Sequence, residues 1–186
     1  MFLDVGCGFG RTFYDISELF PNSYFIGLDS SLRLLKTANK ILNKGVNIEI
    51  DLSFIGFKKN EILIGKSLKN IFLLQADAEE IPIFSDTIDC ITSTFLIDRL
   101  VSPIKHIKNS INLLKKEGIF ILTSPLNFKD KNIWELFGNR NSVVQLLKNN
   151  GIEIIEHFDK LITRIPLDSK GNYIDWNVSV ICGRKK

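Results

Sequence analysis

The chain has 186 residues, 45% of them hydrophobic, and a formal net charge of +3, enough for one domain with a sizeable core. Its basic residues are scattered pairs such as Lys58-Lys59 and Lys115-Lys116 plus the tail Arg184-Lys185-Lys186, which excludes the concentrated basic face that nucleic-acid binding needs. Cys7, Cys90 and Cys182 spell neither a disulfide framework nor a metal site, and neither a signal peptide nor a bilayer-length apolar run is present, so the expectation is a cytoplasmic protein with no metal, nucleic-acid or membrane partner.

The densest signal comes first. Phe2 to Val5 reads as a short buried strand, Gly6, Gly8 and Gly10 follow at alternate positions, and helical spacing begins at Arg11. A Cβ at these glycines would block a ligand lying against the backbone or forbid a positive φ, so the turn suits a cofactor loop. Asp4, at the strand end, separates two ligand classes: a carboxylate repels a pyrophosphate and attracts an ammonium group. A turn without cofactor significance in another α/β protein stays open here.

The first helix is expected from Arg11 to Phe20, with Phe13, Ile16, Leu19 and Phe20 on one face and Pro21-Asn22 as its stop. Tyr24 to Leu28 is the second strand and ends on Asp29. Ser30 or Ser31 caps a helix carrying Leu32, Leu35, Ala38, Ile41 and Leu42, which ends at Asn43-Lys44-Gly45. Residues 43–70 read as an insertion. Val46, Ile48, Ile50 and Leu52 alternate, Gly56 and Lys58-Lys59-Asn60 turn the chain, and Ile62 and Ile64 alternate again, the pattern of a hairpin. A substrate wall and a plain decoration are equally open readings of it.

Ile71 to Gln75 is the third strand, closing on Asp77-Ala78, and Thr87 to Ser93 is the fourth. Ser102 as N-cap and Pro103 at the first helical position open a helix with Ile104, Ile107, Ile111 and Leu114 inward and Gly118 as its stop. Ile119 to Thr123 is the fifth strand. A polar loop with Trp134 and Phe137 follows, then a helix over Ser142 to Asn149 capped by Asn141. Ile152 to Phe158 and Tyr173 to Cys182 are the last two strands, joined through Pro166 and the turn Ser169-Lys170-Gly171-Asn172. Strands alternate with helices until two strands come in succession, which predicts an α/β fold whose sheet is mostly parallel with one antiparallel strand added last.

In an open parallel sheet the ligand crevice lies at the carboxyl ends of the strands. Asp4 closes the first strand, Asp29 the second and Asp77 the third. Asp29 is placed to accept from both hydroxyls of a ribose, and Asp77 with the Ala78 backbone to pair with an adenine amino group and ring nitrogen. Each acid alone also reads as a turn former or helix cap. Three at adjacent strand ends are hard to obtain by chance.

Leu3-Asp4-Val5-Gly6-Cys7-Gly8-Phe9-Gly10, Phe25-Ile26-Gly27-Leu28-Asp29, Gln75-Ala76-Asp77-Ala78-Glu79-Glu80-Ile81-Pro82 and Asp89-Cys90-Ile91-Thr92-Ser93-Thr94-Phe95 together resemble the successive cofactor motifs of class I S-adenosylmethionine-dependent methyltransferases. The last of these stretches, with Ile107 to Leu122, is similar to the ubiquinone and menaquinone C-methyltransferases, although Lys115-Lys116-Glu117-Gly118 stands where Leu-Lys-Pro-Gly-Gly is usual. The resemblance spans nearly the whole chain. It implies one domain over residues 1–186 with a three-layer αβα Rossmann-like methyltransferase fold, seven strands, and the last strand inserted antiparallel beside the fifth. S-adenosylmethionine is the implied cofactor. Gly6, Gly8 and Gly10 fall at its methionine moiety, Asp4 at the ammonium, Asp29 at the ribose, Asp77 with Ala78 at the adenine, and Thr94 near the sulfonium, with Cys7 and Ser30 completing the set.

In-line displacement from a sulfonium asks mainly for alignment and desolvation, and proximity contributes about 7–11 kcal/mol to such reactions. A base is needed only where the acceptor must lose a proton. Asp98, just after the fourth strand, is the candidate facing the crevice, with helix capping as its alternative reading. His106, expected on a helix surface, and His157, within the sixth strand, read as solvated or packing residues.

A looser resemblance bears on the acceptor. Thr94-Phe95-Leu96-Ile97-Asp98, Ser124-Pro125-Leu126-Asn127-Phe128, the insertion, and Trp176-Asn177-Val178-Ser179-Val180-Ile181 with Arg184-Lys185 are similar to carnosine N-methyltransferases, which modify a histidine-containing dipeptide. That resemblance puts Asp98, Phe128 and Trp176 at the acceptor; the tyrosine and histidine expected near Phe128 are absent. No Asn/Asp-Pro-Pro-Tyr/Phe stretch follows the fourth strand, which counts against an adenine or glutamine amide acceptor. The expected function is methyl transfer to a small-molecule or peptide acceptor. A noncatalytic or partner-dependent methyltransferase-like subunit is the alternative, and Gly-x-Gly-x-Gly with Asp4 counts against a nicotinamide oxidoreductase. Helices that ordinarily precede the first strand in this class do not precede Phe2, which leaves three expectations: a fragment, a degenerate domain, or a protein partner that supplies the missing cover.

Overall fold

The computed structural model describes residues 1–51, 53, 60–137, 140–168 and 170–186. β1 (Phe2–Val5) and β2 (Phe25–Asp29) are joined through α1 (Arg11–Ile16), and α2 (Leu32–Leu42) follows with Ser31 as its N-cap, accepting from the Leu34 N–H. β3 (Ile48–Asp51) and β4 (Asn60–Leu63) pair antiparallel as a separate two-stranded hairpin, the element the alternation predicts. Leu52 and the turn expected at Gly56 and Lys58-Lys59 lie outside the described residues, as does Ser169 of the last turn.

β5 (Ile71–Gln75), β6 (Ile88–Thr94), a short 3-10 helix (Ile97–Arg99), α3 (Pro103–Leu113), β7 (Leu114–Ser124), α4 (Lys131–Phe137), α5 (Arg140–Asn149), β8 (Ile152–Pro166) and β9 (Tyr173–Lys185) follow. The larger sheet has seven strands in the order β5-β2-β1-β6-β7-β9-β8. The five strands from β5 to β7 pair parallel, and β9 runs antiparallel to both β7 and β8. The last strand therefore inserts antiparallel beside the fifth strand of this sheet, as expected.

Helices pack on both faces and give three layers. Leu3, Val5, Leu28, Ile91, Phe120 and Leu122 face α3 and α5, whose Ile107, Ile111 and Leu147 are buried against them. Phe13 of α1 and Ala38, Ile41 and Leu42 of α2 cover Phe25 and Ile71 on the opposite face. That second cover stops short of the sheet's other half: Cys90, Thr92, Ile119 and Ile121 stay half-exposed, although their strand neighbours Ile91 and Phe120 are completely buried. Parallel strands normally lose both faces to solvent-excluding layers.

Four elements differ from their sequence reading. α1 ends at Ile16, because Leu19 and Phe20 remain exposed and nothing holds the helix beyond its buried Phe13. The polar stretch with Trp134 and Phe137 is not a loop but α4, started by the Asp130 carboxylate accepting from the Asn132 and Ile133 N–H groups. Leu114 is the first residue of β7, paired with Ile88, and not the last turn of α3. β8 and β9 run past the end of β7, so that Leu161–Pro166 and Tyr173–Val178 pair only with each other as a projecting ribbon.

Gly10 joins the loop to α1 at φ +77°, and a Cβ there would collide with the Leu42 side chain of α2. Gly10→Ala should therefore lower the free energy of unfolding by about 2–4 kcal/mol, combining left-handed strain with overpacking. Urea denaturation measures it.

Candidate functional site

The carboxyl ends of β5, β2, β1 and β6 open onto one groove. Its inner part, about 120 Å³, is lined by Gly6, Leu28, Asp29, Ser30, Asp77, Ala78, Leu96 and Leu100. It continues through Ser30 and Asp77 into an outer cleft of about 530 Å³ bounded by Gln75, Glu79 and Arg99 to Val101. On the other side of Leu100 lies a hollow of about 230 Å³, lined by Asp98, Phe128, Lys129, Asp130 and Ile133.

The glycine turn is fixed before any ligand arrives. The Gly6 and Cys7 N–H groups both donate to the Leu28 carbonyl, Gly10 N–H donates to the Cys7 carbonyl, and Gly8 N–H donates to Asp29 Oδ2 at 2.9 Å. A phosphate cradle needs such N–H groups pointing outward and unspent. Here four are committed to the fold, and the geometry selects against a pyrophosphate. The three glycines also part company. A Cβ on Gly8 would meet open space, one on Gly6 would press the Leu96 methyls at 3.1 Å, and Gly10 serves packing.

Asp29 is held at both oxygens, Oδ2 by Gly8 and Oδ1 by the Ser31 N–H at 2.8 Å. A carboxylate offers about four lone-pair sites, so about two remain, one on each oxygen. Asp77 is exposed, and its Oδ1 accepts from the Glu79 N–H at 2.8 Å in a turn that presents the buried Ala78 beside it. Ser30 is exposed at the junction of groove and cleft.

Asp4 and Cys7 sit behind the loop and line neither opening. Asp4 is buried, takes a hydrogen bond from Thr92 Oγ1 at 2.6 Å and a second from Thr12, and its carboxyl is pushed up from 3.8 to about 6, chiefly by burial. Burial also pushes the Cys7 thiol far up, which leaves it inert. Thr94 is half-buried at the end of β6, opposite Thr123 of β7.

The residues expected at an acceptor are only partly brought together. Asp98 and Phe128 line the same hollow, with the Phe128 ring 5.5 Å from that of Phe137 on α4. The Asp98 carboxylate lies beneath the wall: Oδ1 accepts from Ser124 Oγ at 3.1 Å, while Oδ2 makes no hydrogen bond and lies 4.0 Å from Arg99 Nε. Trp176 is on the projecting ribbon opposite Thr163, away from the residues lining this hollow. His157 Nε2 lies 3.0 Å from Asp159 Oδ1 on β8. His106, expected on a surface, is fully buried. Sequence reasoning placed Asp98 at the site but missed Leu96 and Arg99 to Val101, which with it border the inner groove, the outer cleft and the hollow. Among the described residues no group of three or more His, Cys, Asp or Glu could hold a metal ion, and no helix is long and apolar enough to cross a membrane.

Because the Asp4 carboxyl is raised on folding, the folded chain holds its proton between pH 3.8 and about 6 while the unfolded chain releases it, so this group's contribution to stability falls as pH rises through that window and stays low above it. The cost at neutral pH is about 3 kcal/mol. Asp4→Asn should therefore be more stable than the parent by up to that amount at pH 8, with the difference vanishing towards pH 4, as read from urea melts across the pH range.

Solved structures share this architecture. The YcgJ protein from Bacillus subtilis superposes with a TM-score of 0.66 at 18% identity, over 100% of this chain and 91% of that one. A SAM-dependent methyltransferase from Aquifex aeolicus gives 0.62 at 16%, over 100% and 81%. The Haloferax volcanii protein solved in complex with the Trm112 methyltransferase activator gives 0.67 at 15%, over 98% and 81%. No curated protein sequence matches the chain. The family described as Methyltransferase domain matches residues 1–180, and with the glycine turn, strand order and strand-end groove already in place, the chain belongs to that methyltransferase family.

Proposed function

We propose that the groove binds S-adenosylmethionine and that the chain transfers a methyl group to a small-molecule or peptide acceptor in the adjoining hollow. The observation that carries this reading is Asp29: each oxygen is fixed by one backbone N–H and keeps one lone pair for a vicinal diol, as a ribose requires. Asp77 and the Ala78 N–H pair with the adenine amino group and ring nitrogen. Gly8 presents a bare backbone to the methionine moiety, and the buried charge of Asp4 attracts the ammonium through the loop. Ser30 flanks the ribose, and Thr94 stands near the sulfonium.

The bound sulfonium supplies a methyl group already attached to a good leaving group. The chain's own task is alignment, in which Leu96 and Leu100 exclude water from the edge of the groove where cofactor and acceptor meet. The Asp98 carboxylate, one oxygen of which makes no hydrogen bond and lies 4.0 Å from Arg99 Nε, borders the acceptor, and the Phe128 ring supports the acceptor's body.

A second reading rests on a separate observation. The half-exposed face of β6 and β7 fits a protein partner that covers it, which would make activity depend on the complex; the Haloferax volcanii neighbour with its activator is a parallel. Methylation of a test acceptor by the isolated chain excludes this dependence.

Calorimetry tests the main reading. S-adenosylhomocysteine should bind saturably, and Asp29→Ala should weaken it by about 100-fold through loss of two hydrogen bonds to a charged group. A folded chain that binds neither S-adenosylmethionine nor S-adenosylhomocysteine overturns it.

A further inference from the structure

His106 is fully buried in α3, uses both ring nitrogens, and has no part in the chemistry described above. Its Nδ1 lies 2.9 Å from the Ala78 carbonyl oxygen and its Nε2 lies 2.9 Å from Ser93 Oγ on β6. A carbonyl oxygen can only accept, so the proton sits on Nδ1. Nε2 is then the acceptor, and the Ser93 hydroxyl donates to it. Burial lowers the imidazole's affinity for a second proton, in keeping with a neutral ring.

The carbonyl held in this way belongs to the turn that faces the groove. No helix lies between β5 and β6, so Asp77 to Glu80 is an irregular segment whose position has to come from neighbours. α3 and its N-cap provide it at four points: His106 Nδ1 to the Ala78 carbonyl, Asn109 Nδ2 to the Glu79 carbonyl at 2.7 Å, the Ser102 N–H to Glu79 Oε1 at 2.8 Å, and Lys105 Nζ to Glu80 Oε1 at 2.7 Å on the exposed side. Of these, the His106 bond is made to Ala78 itself, which lines the groove beside Asp77.

We propose that His106 is a positioning residue for base recognition: its Nδ1–H, held in that tautomer by Ser93, fixes the Asp77-Ala78 backbone so that the groove distinguishes a 6-amino purine from a 6-oxo purine. This rests on the cofactor reading above. The substrate class it deepens is the nucleoside half of the cofactor, and it predicts a loss of base discrimination, not of binding as a whole.

The test compares S-adenosylhomocysteine with S-inosylhomocysteine by calorimetry in the wild type, His106→Gln and His106→Asn, alongside thermal melts. The Gln amide reaches the Nε2 position and cannot donate from Nδ1, whereas the Asn amide can. Loss of one buried donor should weaken S-adenosylhomocysteine by about tenfold in His106→Gln, leave S-inosylhomocysteine within about twofold, and be largely restored in His106→Asn. Equal losses for both ligands, or retained discrimination in a folded His106→Gln, overturn the proposal. Should the variants fail to fold, ¹⁵N NMR of ring-labelled histidine in the wild type decides: an Nδ1–H tautomer supports it and an Nε2–H tautomer overturns it. A wild type that binds neither ligand fails the cofactor reading itself, whereas a wild type that binds and discriminates while the variants match it fails this inference alone.

Discussion

The Asp29 carboxylate is shared between the Gly8 and Ser31 N–H groups, and with the Gly6 and Cys7 N–H groups on the Leu28 carbonyl it joins the glycine turn to the second strand. One side chain thereby fixes two backbone segments, one 21 residues away at Gly8 and one two residues away at Ser31. The Gly6 and Cys7 N–H groups donate to the Leu28 carbonyl and the Gly10 N–H to that of Cys7, so most of the loop is set before a ligand arrives. Preorganisation of this kind matters more than contact number, since a site that must order itself loses affinity to that ordering. The same commitment explains why the glycine pattern here is not an anion cradle despite its superficial likeness to one.

Asp4 works against stability in the same few ångströms. Its carboxyl is buried behind the loop, hydrogen-bonded by Thr92 and Thr12, and raised to about 6 because those bonds only partly offset the loss of water. A chain selected only for stability would carry a neutral group there. Its retention makes sense if a positive charge is bound in front of the loop, because an ammonium nearby recovers the cost that folding imposes. Asp29 adds to the penalty, since its charge further raises the Asp4 carboxyl. Two acids thus lie behind and beside one glycine turn, and the ammonium of the proposed cofactor is the charge that would offset them.

The sequence made the strands and their order readable because period-two apolar runs, the glycine turn and the Ser102-Pro103 start are local signals. It also made the strand-end acids readable, since topology alone puts Asp29 and Asp77 on the same rim. It concealed His106 because polarity was weighed ahead of period. Pro103, His106, Ile107, Ser110 and Ile111 lie on one buried stripe of α3, and its two polar members differ: both His106 ring nitrogens have partners, whereas the Ser110 hydroxyl makes no hydrogen bond. α4 was hidden for a related reason: Asp130 is a helix cap set among residues that are nearly all exposed, with Phe137 alone buried. The length of β8 and β9 was illegible because a two-stranded ribbon beyond the sheet has no core face to impose alternation.

The stretch from Leu96 to Val101 decides how the two halves of the site face each other. Leu96 abuts Gly6, Leu100 lines the inner groove and the hollow, and Arg99 lines the outer cleft and the hollow, so one short stretch borders both spaces. This wall is not a free loop. The Phe95 N–H donates to the Thr123 carbonyl at 2.7 Å, and Ser124 Oγ donates to Asp98, whose burial keeps the bond from solvent. Both anchors are the last residues of β7, and the sheet therefore sets the separation of groove and hollow directly. In-line displacement needs the acceptor and the methyl carbon about 3–3.5 Å apart with no side chain between them, so a methyl transfer has to pass beside this stretch, whose edge the strand ends fix.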